Sequence, residues 1–531
     1  MKTYNNIFKS IALGAAVLTL ASCNDYLDTL PDDRATVDSP EKIKSLLVSA
    51  YPSNSSNFLL EYSSDNVTDN GKQYTCQPNQ DKCYRWEQVE TTGNDDPKSI
   101  WGEYYLAVAT ANAALDGVAV VGENSTTLPM KAEALLCRAY AMFQLANTFC
   151  MAYDPTKADE YMGVPYPKAS GQSVDERGTI GETYENINAD IEAALPLLDD
   201  SYLETPKYHF NSRAAYAFAA RFNLYYHNYD KAIEYATKAL GADPASLLRQ
   251  TSTFASLGGA QAISDEYIRT SQAANFMLRT SYSLAGRSFW SSSFNRFAYN
   301  RAMITNELFW AKTPWGSGSS SNCLYEASLL YGNNQTIYYP KMIEVFEYTD
   351  KVNGTGYAHT VDAVFTADET LIVRAEAYAL KKDYDKACAD LNTWASVRLK
   401  ASAGSAKRPT FTPDYVNQYM ETVKCSPVVI VDDAERTIVK PMTPQGFTLE
   451  EGTQKNLIAL ILHVRRLETI QQGLRFQDVK RYGMEFSHNL DGEDALVFKP
   501  GDLRGALQLP IDVIDAGLPA NPRETETDTK E

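Results

Sequence analysis

The amino-acid sequence predicts a mainly α protein, in which a tetratricopeptide-like helical repeat scaffold is interleaved with a loop-rich subdomain. Three observations predict this fold class. Apolar residues recur at helical spacing along most of the chain. Two helix pairs carry small residues where their helices would cross. A long stretch without helical periodicity separates the two pairs, which favours one interleaved fold over the roughly three domains that the length alone suggests.

The helical pattern is clearest before residue 245. Apolar side chains follow the spacing of one helix face over residues 132–149 and again over residues 183–195. Residues 211–227 and 229–240 predict two further helices, joined by a short turn at Asn228. These two helices form the most informative local pattern in the chain.

The helix pair at 211–240 is repeated at 371–397. In both pairs the second helix opens on the same Tyr-Asp-Lys-Ala motif, at Tyr229 and at Tyr384, which stand 155 residues apart (384 minus 229). Tetratricopeptide repeats place small residues where their helices cross, because the two backbones must approach closely. The candidate crossing residues are Ala219, Ala220, Ala232, Ala239 and Ala375. The wide spacing excludes a simple tandem array.

Two stretches lack helical periodicity. Residues 246–365 are rich in Ser, Gly, Asn and Tyr and include a predicted strand at 307–311. Residues 400–455 include a hairpin candidate, in which 428–431 would pair with 437–440. Long irregular stretches in a compact protein indicate functional loops.

The predicted domain organisation follows from these patterns. Helical periodicity resumes over residues 456–472. We expect a helical scaffold formed by residues 40–245 and 366–485, and a loop-rich subdomain formed by residues 246–365 and 400–455. Such a scaffold would hold loops whose sequence is free to vary.

Residues 1–22 have the features of a cleaved signal peptide. A positively charged start precedes an apolar run over residues 11–20, which is too short to cross a membrane. Small residues then lead directly to Cys23, which is typical of a lipid-modified bacterial lipoprotein; the alternative is secretory cleavage beside an incidental cysteine. Removing residues 1–22, which hold two lysines and no acidic residue, leaves 509 residues with a charge of −20. No later apolar run approaches 18 residues, so we expect this end alone to be anchored.

The composition limits which partners the protein can bind and how many of its cysteines can form disulfides. Lys and Arg number 49 against 67 Asp and Glu, a net charge of −18, which excludes the positive footprint that nucleic-acid binding needs. Apart from Cys23, seven cysteines remain, so they cannot all pair within the chain. Cys76 and Cys83 lie in a polar loop and could form a disulfide in an oxidising compartment.

The sequence has none of the common catalytic motifs. No two of its five histidines stand at i, i+4, and it has neither a phosphate loop nor a nucleophile elbow. Gly354-Thr355-Gly356 has His359 where a dinucleotide fingerprint needs a third glycine, and it predicts a turn instead. We therefore expect a protein that is not an enzyme and that needs no cofactor.

Two sets of motifs along the chain carry a family resemblance. The earlier motifs are Tyr26-Leu27-Asp28, Trp101 with Ala111-Asn112, Arg138-Ala139-Tyr140 and Gly163-Val164-Pro165. The more specific ones are Arg374-Ala375-Glu376-Ala377-Tyr378 with Val397-Arg398, and Arg465-Arg466-Leu467-Glu468 with Gly473, Arg475, Asp478 and Arg481. Together these motifs resemble the SusD/RagB family of surface lipoproteins of Bacteroidetes. The chain departs from the family pattern at Val464 and Gln472, where Glu is usual, and in its polar tail from 523 to 531. We interpret the charged groups at 465–481 as ties between elements and not as a site.

The resemblance implies a function and a location. Members of this family capture nutrients beside a SusC-like TonB-dependent transporter, over which they act as a lid. We therefore expect a lipoprotein, anchored at the outer membrane through Cys23 and facing the cell surface, that captures glycans and delivers them to such a transporter. Two alternatives stay open: the same fold capturing peptides, and a tetratricopeptide scaffold for envelope proteins. The sequence also leaves open a structural calcium ion.

The resemblance places the ligand site in the loop-rich subdomain. A sugar presents a flat apolar face ringed by hydroxyls, so its site needs Trp or Tyr rings together with polar side chains. Trp315, in a Gly/Ser-rich loop, is the best candidate for an exposed platform; Trp86, beside Tyr84 and Arg85, is second, and Trp290 is third. For each ring the alternative is that it fixes its own loop to the core. The tryptophans expected in the core are Trp101, Trp310 and Trp394.

Overall fold

The computed structural model describes residues 37–172, 174–290, 294–326, 330–331 and 336–523, with the backbone alone at 290, 330 and 331. The predicted signal peptide, Cys23 and the last eight residues of the tail lie outside this range. Helices and strands are numbered below in chain order.

Helices make up most of the regular structure in the described residues. They are α1 (Pro40–Leu47), α2 (Asn57–Ser63), α3 (Pro78–Tyr84), α4 (Pro97–Val121), α5 (Thr127–Phe149), α6 (Ile180–Ala194), α7 (Ser212–Tyr225), α8 (Tyr229–Leu240), α9 (Ala260–Tyr267), α10 (Ala285–Trp290), α11 (Arg301–Asn306), α12 (Ala367–Leu380), α13 (Tyr384–Arg398), α14 (Pro413–Met420), α15 (Thr453–Glu468), α16 (Leu474–Tyr482) and α17 (Ile511–Asp515). Short 3-10 turns include Pro206–Tyr208, Pro244–Ser246 and Thr251–Ser256.

The strands are short apart from one sheet. They are β1 (Thr68–Asp69), β2 (Asn275–Tyr282), β3 (Phe297–Ala298), β4 (Gly316–Ser317), β5 (Ser321–Asn322), β6 (Leu330–Tyr331), β7 (Ile337–Tyr338), β8 (Val345–Asp350), β9 (Thr355–Thr366), β10 (Ser402–Ala403), β11 (Ala406–Lys407), β12 (Phe486–Leu490) and β13 (Glu493–Phe498). β2, β9 and β8 form an antiparallel sheet in that order, and the other strands pair two by two.

The helices pack in antiparallel pairs around a continuous apolar core. α5 packs between α4 and α6, α7 packs on α8, and α12 packs on both α13 and α15. α8 also packs directly on α12, so the two helix pairs that are far apart in sequence are neighbours in space. The crossing alanines predicted from the sequence are all fully buried. The predicted mainly α, tetratricopeptide-like scaffold is therefore confirmed.

The two helix pairs share the geometry of their connecting turns. His227 and Lys382 each stand two residues before the tyrosine that opens the second helix, and their φ angles are 60° and 64°. A left-handed residue at this position ends one helix and lets the chain reverse within a few residues. Asn228 then caps α8 by accepting a hydrogen bond from the Lys231 backbone N–H at 3.5 Å. The repeat is thus a repeat of backbone geometry and not of sequence alone.

α4 contradicts the expectation that no later apolar run approaches 18 residues. By length and composition this helix could cross a membrane, with a mean hydropathy of 1.4 over its most apolar window, 44% of which is buried inside the protein. Its buried face packs against α1 and α5. That is the packing of a core helix in the scaffold.

Two local predictions are wrong. Residues 307–311 form a turn after α11 instead of a strand, with the Trp310 backbone N–H donating to the Ile304 carbonyl at 2.8 Å. Residues 428–431 and 437–440 form no hairpin; the segment is held to its neighbour by a bond from Ser426 N–H to the Val439 carbonyl at 2.9 Å. A short buried apolar run has the same sequence pattern in a turn as in a strand, so periodicity alone cannot separate the two.

The charged motif at 465–481 ties distant segments together inside the core. Arg475 forms two hydrogen bonds with the Asp65 carboxylate, at 2.6 and 2.8 Å. Arg466 lies 3.0 Å from Glu307 and donates to the Asp65 backbone carbonyl at 2.5 Å. Burial by itself would raise the pKa of Asp65, but Arg466 and Arg475 hold it well below its usual range. We call Asp65, Glu307, Arg466 and Arg475 the buried ion cluster; it joins α2, α15 and α16 to the loop after α11.

Candidate ligand-binding surface

Trp315 is buried, so the prediction that it forms an exposed platform is wrong. Its side chain is fully buried, and its ring packs on Trp394 and on His463 at centroid distances of 5.2 and 5.9 Å. The loop folds back as the β4–β5 hairpin, in which the Cys323 backbone N–H donates to the Trp315 carbonyl at 2.9 Å. The Gly/Ser-rich sequence correctly predicts a loop, but the ring fixes that loop to the core.

Trp86 and Tyr84 are also buried, and together they enclose His488. The imidazole ring lies between the two, with centroids 4.4 Å from Trp86 and 3.9 Å from Tyr84. The Trp86 indole N–H donates to the Ser63 carbonyl at 2.8 Å, and the Tyr84 hydroxyl donates to the Asn489 carbonyl at 3.0 Å. The stacking faces of both rings are therefore covered by the protein itself. The prediction that these rings form an exposed surface is wrong.

Arg85 is partly exposed but already paired. Its guanidinium donates to Glu493 at 2.7 and 3.1 Å and to Asp81 at 3.2 Å. A ligand would have to compete with two carboxylates for this group. The side chain of Trp290 is outside the described residues, so its role as a platform stays a prediction.

The two cysteines that the sequence suggested for a disulfide, Cys76 and Cys83, are both free, and burial raises the pKa of each thiol. Among the described residues, no group of three or more His, Cys, Asp or Glu side chains could hold a metal ion.

Four of the five exposed aromatic rings in the described residues lie on the three-stranded sheet instead. Within the described part of the chain, five of the twelve large exposed apolar side chains belong to this sheet. They are Tyr282, Phe346, Tyr348, Val352 and Tyr357. A concentration of exposed apolar side chains on one element indicates a contact surface. We call these five residues, on β2 and on the β8–β9 hairpin, the aromatic hairpin surface.

The strand register sorts the four rings onto two faces. Tyr282 pairs with His359 across β2 and β9, and Tyr357 follows on the same face of β9 because side chains alternate. The two rings contact each other at a centroid distance of 5.7 Å and an angle of 64°. Phe346 and Tyr348 share the opposite face of β8, with centroids 4.9 Å apart. The hairpin thus projects from the protein with aromatic rings on both sides.

Polar groups border the Tyr282–Tyr357 pair. Glu347 lies directly across from Tyr357, and His359 lies directly across from Tyr282, two residues along β9 from Tyr357. The hairpin turns at Asp350, whose carboxylate accepts hydrogen bonds from the Val352 and Asn353 backbone N–H groups at 2.8 and 3.1 Å. Two rings beside a carboxylate and an imidazole have the mixture of apolar faces and hydrogen-bonding groups that sugar binding needs.

The sequence contained a signal for this surface. Alternating side chains over 345–350 and 355–366 flank an Asn-Gly pair, which is the pattern of a β-hairpin. Gly354 adopts the predicted turn with a φ of 66°.

Comparison with known proteins agrees with this fold. Residues 25–224 match the SusD-like family model described as starch-binding and associating with the outer membrane. A SusD superfamily protein from Bacteroides thetaiotaomicron superposes with a TM-score of 0.60 at 16% identity, covering 91% of this chain and 100% of its own. No curated protein matches the chain.

Two proteins from Bacteroides vulgatus are similar to the same extent. One, a SusD-like carbohydrate binding protein, has a TM-score of 0.58 at 16% identity and covers 87% of this chain and 89% of its own. The other has a TM-score of 0.64 at 17% identity and covers 92% and 99%. The chain therefore has the SusD superfamily fold, and its predicted resemblance to the SusD/RagB family is confirmed.

Proposed function

We propose that this protein is a carbohydrate-binding protein associated with the outer membrane, which captures glycans and passes them to a SusC-like TonB-dependent transporter. The match of residues 25–224 to a family described as starch-binding and outer-membrane-associated supports the class. The contact between Tyr282 and Tyr357 on an exposed sheet face is the structural observation that carries the proposal. No chemical change of the ligand is part of it.

The capture step follows from the geometry of the aromatic hairpin surface. A sugar ring would lie against the exposed tyrosine faces, and Glu347 and His359 would meet its hydroxyls. A lipid on Cys23 would hold the protein at the membrane, close to the transporter. Because tethering raises the local concentration of ligand, moderate affinity at one surface would be enough.

Affinity gel electrophoresis against starch and a panel of other polysaccharides tests the proposal. We expect retention by at least one glycan, and loss of most of that retention in the Tyr282→Ala, Tyr357→Ala double variant. Tyr208→Ala is the matched control, because Tyr208 is exposed to nearly the same degree, 37% against 39% for Tyr282. It lies beside the other end of β2, where Lys207 contacts the Asn275 carbonyl.

The outcomes of this experiment distinguish an error in the proposed binding surface from an error in the proposed function. Retention that the double variant keeps, with unchanged thermal unfolding, would place the glycan elsewhere on the protein. A native protein that no glycan retains would contradict carbohydrate capture itself.

Peptide capture is a second candidate, favoured by one observation. β8 is the edge strand of its sheet, and no strand in the described residues pairs with its outer side. An open edge can add an extended peptide through backbone hydrogen bonds. Competition between a tryptic peptide mixture and the retained glycan distinguishes the two ligands. The transporter partnership is tested separately, by co-purification with the TonB-dependent barrels of the same outer membrane.

A further inference from the structure

A small polar cavity lies where the inserted segments meet the helical scaffold. Its volume is about 20 Å³, enough for one or two water-sized species. Its charged and phenolic lining side chains are Arg249, Tyr267, Tyr339, Lys341, Asp368, Arg398 and Glu468. The cavity thus brings together a segment before α9, the last residue of α9, a loop after β7, and helices α12, α13 and α15.

Arg398 supplies an unpaired donor at this cavity. Its side chain is 3% exposed, and its Nε donates to Glu468 at 2.8 Å. Its Nη1 is buried and has no hydrogen-bond partner. A buried guanidinium nitrogen without a partner is costly, so the geometry calls for an acceptor inside the cavity.

The charge around the cavity is positive on balance. Three cationic side chains, Arg249, Lys341 and Arg398, face two carboxylates, Asp368 and Glu468. The carboxylates are already engaged. Asp368 accepts from the Arg249 backbone N–H at 3.0 Å, and one oxygen of Glu468 accepts from both Trp394 and Arg398 at 2.8 Å.

Lys341 also lines the cavity. Its ammonium donates to the Glu468 carbonyl at 2.6 Å and to Gln472 at 3.3 Å, which leaves one of its three protons unassigned. Burial, together with the positive charge of Arg249, lowers the pKa of Lys341 to about 8. This ammonium and the unpaired Arg398 nitrogen are two cationic donors available to a guest.

We propose that this cavity is a binding site for a small monovalent anion of the halide class. The anion accepts hydrogen bonds from Arg398 Nη1 and Lys341 Nζ and offsets the excess positive charge. It acts as a structural tie, because its donors come from α13 of the scaffold and from the inserted loop after β7. The site is independent of the proposed glycan surface, which lies on the exposed part of the sheet.

Two experiments test the site on the full-length mature protein. In crystals soaked with sodium bromide, we expect an anomalous peak within hydrogen-bond reach of Arg398 Nη1. In denaturant unfolding at constant ionic strength, replacing gluconate by chloride should stabilise the fold in a saturable way. Chloride at twenty times its dissociation constant would multiply the folding equilibrium constant by about 20.

Variants assign the effect to this cavity. Arg398→Met and Lys341→Met should each lose the chloride dependence. Arg301→Met is the control, because it removes an exposed arginine of α11 and should keep the dependence. If Arg398→Met does not fold, the bromide map of the native protein and the Lys341→Met titration still decide the question. A cavity filled by water alone, with no anomalous peak and equal stability in chloride and gluconate, would overturn the proposal.

Discussion

Trp86 stacks face to face on His488, with ring centroids 4.4 Å apart and ring planes 12° apart. Tyr84 covers the other imidazole face at 3.9 Å and 4°. The ring nitrogens of His488 lie 2.7 and 2.9 Å from the backbone oxygens of Tyr84 and Ser64. The rings that the sequence suggested for a ligand therefore hold the β12–β13 hairpin against the segment 63–86.

Replacing Trp86 tests this structural role. Trp86→Ala removes a buried ring and leaves a cavity, so we expect the free energy of unfolding to fall by about 3–5 kcal/mol. Chemical denaturation measures it. Tyr357→Ala, on the exposed sheet face, should change stability by no more than about 0.5 kcal/mol. Equal stability of Trp86→Ala and the native protein would refute the buried stack.

The buried ion cluster predicts a large cost for removing one charge. Asp65→Asn leaves Arg475 in the core without its carboxylate, so we expect a loss of about 3–5 kcal/mol in unfolding free energy. The matched control is Asp230→Asn, whose partner Lys381 is on the surface and whose loss should cost less than about 1 kcal/mol. Similar midpoints for both variants in urea unfolding would contradict the expectation.

His463 predicts a pH dependence of stability. Neither ring nitrogen has a hydrogen-bond partner, and burial lowers the pKa of His463 from 6.5 to about 3. Below pH 6.5 the imidazole of His463 binds a proton in the unfolded chain but not in the folded protein. This residue therefore makes the free energy of unfolding fall as the pH falls. Relative to the native protein, His463→Leu should gain about 2 kcal/mol between pH 7 and pH 5.

Urea unfolding of both proteins at the two pH values measures this difference. Between pH 7.5 and 8.5 the same difference should stay constant, which serves as the internal control. A difference that is also constant between pH 7 and pH 5 would show that His463 titrates normally in the folded state.

The cysteines predict an order of alkylation. Cys425 is exposed, Cys76 is partly buried and Cys83 is buried. In the native protein we expect iodoacetamide to modify Cys425 before either of the others, with both Cys76 and Cys83 becoming reactive after unfolding without a reductant. Peptide mass mapping follows the modification; a Cys76–Cys83 disulfide peptide would contradict the free thiols.

Local patterns predicted the scaffold well because helices are determined within a few turns of chain. The predicted helix at 229–240 coincides with α8 (Tyr229–Leu240), and the predicted segment 384–397 ends one residue short of α13 (Tyr384–Arg398). The strand predicted at 307–311 failed for the opposite reason. Its apolar residues are buried by segments that are distant in sequence, and they take up a turn.

The sequence by itself determined the helical repeat, the short turn within its first helix pair, the family resemblance and the structural role of the charged motif at 465–481. Tertiary structure alone decided which rings are free to bind. Trp315 is covered by Trp394 and His463, and Tyr84 is covered by a histidine 404 residues later in the chain. Exposure depends on what packs against a ring from elsewhere in the chain, and no local pattern records that. Tyr282 and Tyr357 keep exposed ring faces, because the end of the three-stranded sheet on which they lie extends beyond the core.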